Sequence, residues 1–250
     1  MSKIDEYRLI LITLSSWDEF LLENSGLPGP RGNLELAQAV ADLGSPVLFD
    51  RYRAYNADVA PTGSPYEFLA FCGVHGLGRL LAEGQVEVLP VLRTSASDSR
   101  WRLREAVAMA LQRFGDADMP SLIHEMQSWS MGTPLEQRAA AAALCEPRLL
   151  SRVEHARAVL LILDRITTSI LDQPDRRAEN FRILRQGLGY CWSVAAVSDP
   201  EDGKALMEKW LLDTDPDIQW IMRENLKKNR LVRMDADWVH SWQVHKGEKS

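Results

Sequence analysis

Two stretches of the chain set a tryptophan, an arginine and a glutamate at one spacing: DSRWRLRE at residues 98–105 and DIQWIMRE at 217–224. Trp101 and Glu105, like Trp220 and Glu224, stand four residues apart, about one helical turn. An aromatic face beside a carboxylate stabilises a cation. The competing reading is structural: both tryptophans open buried helix stripes, and the glutamates face solvent or pair with Arg102 and Arg104. Tyr190 and Trp192, in RQGLGYCWSVAA, offer further aromatic surface.

Cations gather in two places. The loop SGLPGPRGN, residues 25–33, holds Arg31 between prolines and glycines, stiff enough to present it to an anionic group at low entropic cost. The same residues also serve as a corner, with Gly26 ending one helix and Asn33 capping the next. The run RENLKKNRLVR, residues 223–233, brings Lys227, Lys228, Arg230 and Arg233 together; on one face they would follow a phosphate backbone or meet an acidic partner. As a helix end, the run would simply complement unsatisfied carbonyls.

Other chemistries find less support. Gly73, Gly76 and Gly78 in FLAFCGVHGLGRLL lack the order of a dinucleotide fingerprint and imply close helix packing or a ligand approaching the backbone, with packing the reading preferred. Cys72, Cys145 and Cys191 are scattered in apolar context and read as buried reduced thiols. The five histidines, including the pair His240 and His245, form no metal-binding pattern, and no nucleophile elbow occurs, so neither a metal nor a cofactor is expected. With a formal charge of −6, a uniformly nucleic-acid-binding surface is disfavoured. No apolar run is long enough to span a bilayer and the start carries no signal-peptide pattern; no membrane association and a cytoplasmic location are expected.

These residues must be carried by helices, because strand signals are nearly absent and short turns such as GDAD, DQPD and DTDPD punctuate the chain. Caps and breakers predict helices near 4–23, 33–43, 45–54, 65–82, 86–95, 99–114, 117–130, 135–145, 152–171, 177–197, 200–212, 217–230 and 235–245. Asp98 and Asp217 are the expected caps of their helices, and Arg104 and Arg223 follow six residues on, far enough to turn toward a neighbouring unit. Arg138 and Arg185 continue the series, so the arginines recur at intervals of 34, 47 and 38 residues, the range of two-helix repeats.

On these residues the chain resembles the HEAT-repeat family, whose second helix commonly opens with an aspartate and carries an arginine six residues later. The resemblance implies an all-α, right-handed α-solenoid of two-helix repeats in a single domain over 1–250, clearest over 85–231 and more divergent over 1–84. Asp98, Arg104, Arg138, Arg185, Asp217, Trp220 and Arg223 would then be repeat-structural. A weaker resemblance joins the chain to HEAT-like DNA alkylation-repair glycosylases, which grip damaged DNA with tryptophans and an acid; it implies roles for Trp101, Glu105 and Trp192, with glutamate where that family has aspartate.

Two expectations follow. The first is a scaffold that binds a protein or another macromolecule through exposed side chains such as Arg31, Arg102 and Tyr190, without catalysis. The second is a DNA-binding or glycosylase-like protein, which requires the aromatic and basic residues to share one surface.

Overall fold

The computed structural model describes residues 1–244, and the described residues form an all-α structure of fifteen helices with two 3-10 turns and no strand. None of these helices is long and apolar enough to cross a membrane. The chain divides into two compact units, Met1–Ala117 and Asp118–Ser250. His245, one half of the histidine pair, and the end of the expected helix 235–245 lie outside the described residues.

The first unit contains α1 (Lys3–Leu11), α2 (Asp18–Glu23), α3 (Leu34–Leu43), α4 (Pro46–Arg53), α5 (Pro65–Ala82), α6 (Leu89–Ser95) and α7 (Trp101–Ala117). The single helix expected over 4–23 is two helices, because the chain turns after Leu11, whose carbonyl accepts a 2.8 Å bond from the Trp17 indole. Ser45 and Ser64 cap α4 and α5 with their hydroxyls, each followed by proline at the first helical position. Helix α5 is the hub, buried nearly all round, and packs against α2, α3, α4, α6 and α7. Its glycines make this possible: a Cβ on Gly73 would sit 2.5 Å from the Arg53 nitrogen in α4, and one on Gly78 would sit 2.5 Å from Ala110 Cα in α7. The close packing expected of this glycine-bearing helix is what the structure shows.

The second unit contains α8 (Met119–Trp129), α9 (Pro134–Leu144), α10 (Val153–Ser169), α11 (Glu179–Ala196), α12 (Pro200–Leu211), α13 (Pro216–Leu226), α14 (Asn229–Met234) and α15 (Ala236–Val244). Consecutive helices pair, α8 with α9, α10 with α11 and α12 with α13. Alternate helices also pack, α8 on α10 on α12 in one row and α9 on α11 on α13 in another. The arginine series falls on the second row, with Arg138 on α9, Arg185 on α11 and Arg223 on α13.

Several expected boundaries shift. Helix α7 runs through Gly115 and Asp116 and stops only where Asp118 caps α8. The helix expected over 217–230 breaks at Lys227, because Lys228 is extended at φ −80° and ψ 124° and α14 begins anew. The basic run therefore straddles a corner rather than lining one helical face.

Candidate functional site

The loop 25–33 is held from within and from two helices. Gly26 adopts φ 75°, in the left-handed region that suits glycine, and its carbonyl accepts from the Gly29 N–H at 2.9 Å. Asn33 accepts from the Leu36 N–H at 3.1 Å as the cap of α3, while its amide donates to the Asn24 carbonyl at 2.9 Å and to the Tyr7 hydroxyl at 2.8 Å. The stretch forms the expected corner and Asn33 caps α3, but α2 ends earlier than expected, at Glu23 with Asn24 rather than Gly26 as its C-cap.

The loop is also clamped by a residue far away in sequence. Arg102 on α7 donates to the Gly29 carbonyl at 3.2 Å and to Glu67 Oε2 on α5 at 3.1 Å, with its guanidinium 4.4 Å from the centroid of the Trp101 ring. Glu67 is fully buried and accepts a second bond, 2.7 Å, from the Gly63 N–H. Two buried atoms of this clasp, Glu67 Oε1 and Arg102 Nε, have no hydrogen-bond partner. A low-dielectric ion pair that also ties a loop is costly to disturb, because removing one partner strands the other charge.

Clamping the loop against α5 and α7 encloses a cleft of about 390 Å³, lined by Leu27, Arg31, Gly32, Leu34, Phe68, Phe71, Trp101, Arg102 and Glu105. That volume lies at the small end of ligand clefts. Phe68 and Phe71 stand with their rings nearly parallel, 3° apart, at 6.4 Å. Trp101 is 48% exposed, which corrects the reading that it opens a buried stripe. Glu105 is not a free carboxylate but has an interaction of its own. Arg31 is exposed at the cleft, and its side chain makes no hydrogen bond or ion pair among the described residues.

No protein-family model, curated protein or solved structure matches the chain. The site is therefore read from its own geometry.

The second copy of the tryptophan motif is built differently. Trp220 lies 4.0 Å beneath the Arg185 guanidinium, and with Glu224 it packs over Gly189, where an added Cβ would meet both side chains at 3.2 Å. Arg185 Nε also lies 2.9 Å from Asp217 Oδ1, the bridge between neighbouring second-row helices that the six-residue offset anticipates. Asp217 is not the cap of α13, a role taken by Asp215, whose carboxylate accepts from the Asp217 and Ile218 N–H groups. Arg104 donates to the Asp98 and Ser99 carbonyls at 2.6 and 2.9 Å. Asp98 accepts from the Arg100 N–H at 2.8 Å, one residue before α7 begins at Trp101, rather than from an N–H of the helix. Burial works to raise its carboxyl, and the Arg100 hydrogen bonds and charge outweigh that effect and hold it below the usual carboxylate range. Arg223 is exposed, so the repeat-structural role expected of it is not seen.

Trp192 is fully buried, with its indole donating to the Thr167 hydroxyl at 3.1 Å, and cannot contact a nucleic acid; its reading as aromatic surface is corrected. Its neighbour Tyr190 is exposed, and its hydroxyl accepts from Arg230 at 2.5 Å while Arg230 and Lys228 stand 4.6 and 5.8 Å from its ring centroid. Lys227 instead pairs with Glu224 at 2.5 Å, and Arg233 is exposed. Of the basic run, then, Lys228 and Arg230 converge on Tyr190, and Lys227 is neutralised locally.

The three cysteines are free and buried, and burial pushes the Cys72 and Cys145 thiols up. Among the described residues no group of three or more His, Cys, Asp and Glu side chains is placed to hold a metal ion. Sequence reasoning selected Arg31, Trp101, Arg102 and Glu105 but missed the apolar lining of Leu27, Leu34, Phe68 and Phe71 and the clasp through Glu67. The available signals were Glu67, a lone acid in the apolar opening of α5, and Phe68 and Phe71, three residues apart on one helical face.

Proposed function

We propose that this chain is a HEAT-like helical-repeat binding protein and that its ligand site is the cleft between loop 25–33, α5 and α7. The observation that carries the reading is the cleft itself: an apolar lining with an exposed tryptophan, held open by a loop that a buried ion pair ties down. Such a site binds by fixed shape rather than by ordering flexible parts. The repeat assignment is supported by the paired and alternating helix contacts of the second unit and by the Arg185 to Asp217 bridge. A partner protein, entering through an apolar residue, is the ligand class that suits a scaffold of this kind.

An uncharged solvatochromic dye tests the site. The expected result is saturable binding at one site in the wild-type protein, lost or weakened at least about tenfold in Trp101→Ala. Dye binding that Trp101→Ala leaves unchanged would place the apolar site elsewhere and end this reading.

The DNA reading rests on a narrower observation, that Trp101, Arg102 and Glu105 line one cleft with Arg31. Fluorescence anisotropy of duplex DNA, intact or with an abasic-site analogue, separates it. Lesion-selective binding that falls steeply with salt would favour repair; no binding at low salt would remove DNA.

A further inference from the structure

Resting on the reading of the cleft as a ligand site, we infer that its ligand carries a carboxylate beside an apolar group, with the carboxylate held by Arg31 and the apolar group seated against Phe68, Phe71 and Trp101. The charge inventory of the cleft points this way. Three charged side chains line it, Arg31, Arg102 and Glu105. Arg102 is matched by Glu67, its ion-pair partner at 3.1 Å, and Glu105 is already engaged. Of these three, Arg31 is the one without a counter-charge among the described residues, although the chain as a whole carries an excess of six acids.

The position of Arg31 matters as much as its charge. It sits between Pro30 and Gly32 in a loop whose neighbours are fixed at Gly26, Gly29 and Asn33, so the backbone that carries it is already ordered before a ligand arrives. An arginine presents a planar fork of donors that matches a carboxylate with two parallel bonds. Beside these charges much of the lining is hydrocarbon: Leu27, Leu34, Phe68 and Phe71 offer no donor or acceptor from their side chains. A ligand that buried polar groups there would lose their hydration without replacement, whereas an aromatic or branched aliphatic side chain would not. The same chemistry is offered by the C-terminal residue of a polypeptide and by a free N-acylated amino acid.

Calorimetric titration of the full chain with matched pairs tests the inference. The pairs are N-acetylphenylalanine against N-acetylphenylalaninamide, and a hexapeptide ending in phenylalanine with a free or an amidated terminus. The expected result is that each acid binds at least about tenfold more tightly than its amide. In Arg31→Gln, an exposed loop position whose change leaves the clasp intact, that preference should shrink to within about twofold while the amides bind as before. A hexapeptide acid tighter than the single residue identifies a chain terminus as the source; equal or weaker binding identifies the small acid. Acid and amide binding equally would overturn the inference and leave the apolar cleft standing. Failure of both members to bind while the neutral dye still occupies the Trp101 site would likewise overturn the inference alone; loss of the dye site in addition would remove the cleft reading beneath it. A preference that survives Arg31→Gln would overturn the assignment to Arg31.

Discussion

Glu67 offers one carboxylate oxygen to both the Gly63 N–H and Arg102, and its other oxygen is buried without a partner. The pair therefore acts as a fastener for loop 25–33 more than as a source of net stability, since desolvation offsets much of its attraction. Glu67→Ala should cost about 3–5 kcal/mol, because it leaves the Arg102 charge uncompensated in a largely buried position. Urea unfolding measures this; a loss below about 1 kcal/mol would contradict the placement of the pair. His75 supplies a second test at the same scale. Burial, followed by the charge of Arg113, pushes its imidazole down to about 4, while Asp42 acts in the opposite direction. The unfolded chain takes up that proton near its ordinary pKa of about 6.5, so the folded state loses stability as pH falls from there toward 4. The loss should reach roughly 3 kcal/mol, and His75→Asn should flatten the curve between about pH 6.5 and 4.5. A stability curve of the wild-type protein that is already flat across that window would contradict a buried neutral His75.

At the scale of elements, the approach of α5 to α7 is set by one missing Cβ. Gly78→Ala would put that atom 2.5 Å from Ala110 Cα, a backbone atom that cannot swing aside, so the helices must separate. A loss of about 1–3 kcal/mol is expected by thermal unfolding, together with weaker ligand binding, because the same two helices wall the cleft. Unchanged stability would mean that the two helices are not in that contact. In the second unit, Asp217 on α13 faces Arg185 on α11 at 2.9 Å and Arg176, in the loop before α11, at 3.2 Å. Asp217→Ala should lower stability by about 1 kcal/mol, while Arg223→Ala, on an exposed side chain, should stay within about 0.5 kcal/mol. The opposite ranking in a denaturant series would contradict the structure's choice of which arginine bridges neighbouring helices.

For the molecule as a whole, helix content and most element positions were legible in the sequence, because caps, prolines and 3.6-residue periodicity are local signals. The two tryptophan motifs were not distinguishable, since their fates depend on what packs over them: loop 25–33 leaves Trp101 half exposed, whereas Arg185 and α11 cover Trp220. Trp192 was misread for the same reason; only the helix packed against it reveals that its indole is satisfied by Thr167. The Glu67 to Arg102 clasp joins residues 35 apart in sequence, a relation that no local pattern encodes. The central claim is that loop 25–33, α5 and α7 form a preformed ligand cleft at Trp101. Fluorine NMR of the 5-fluorotryptophan-labelled protein, titrated with N-acetylphenylalanine, reads that claim at the residue itself. The Trp101 resonance, identified by its absence in Trp101→Phe, should shift in a saturable way while that of fully buried Trp192 stays in place. Saturation that moves Trp192 or Trp220 and leaves Trp101 unmoved would contradict it.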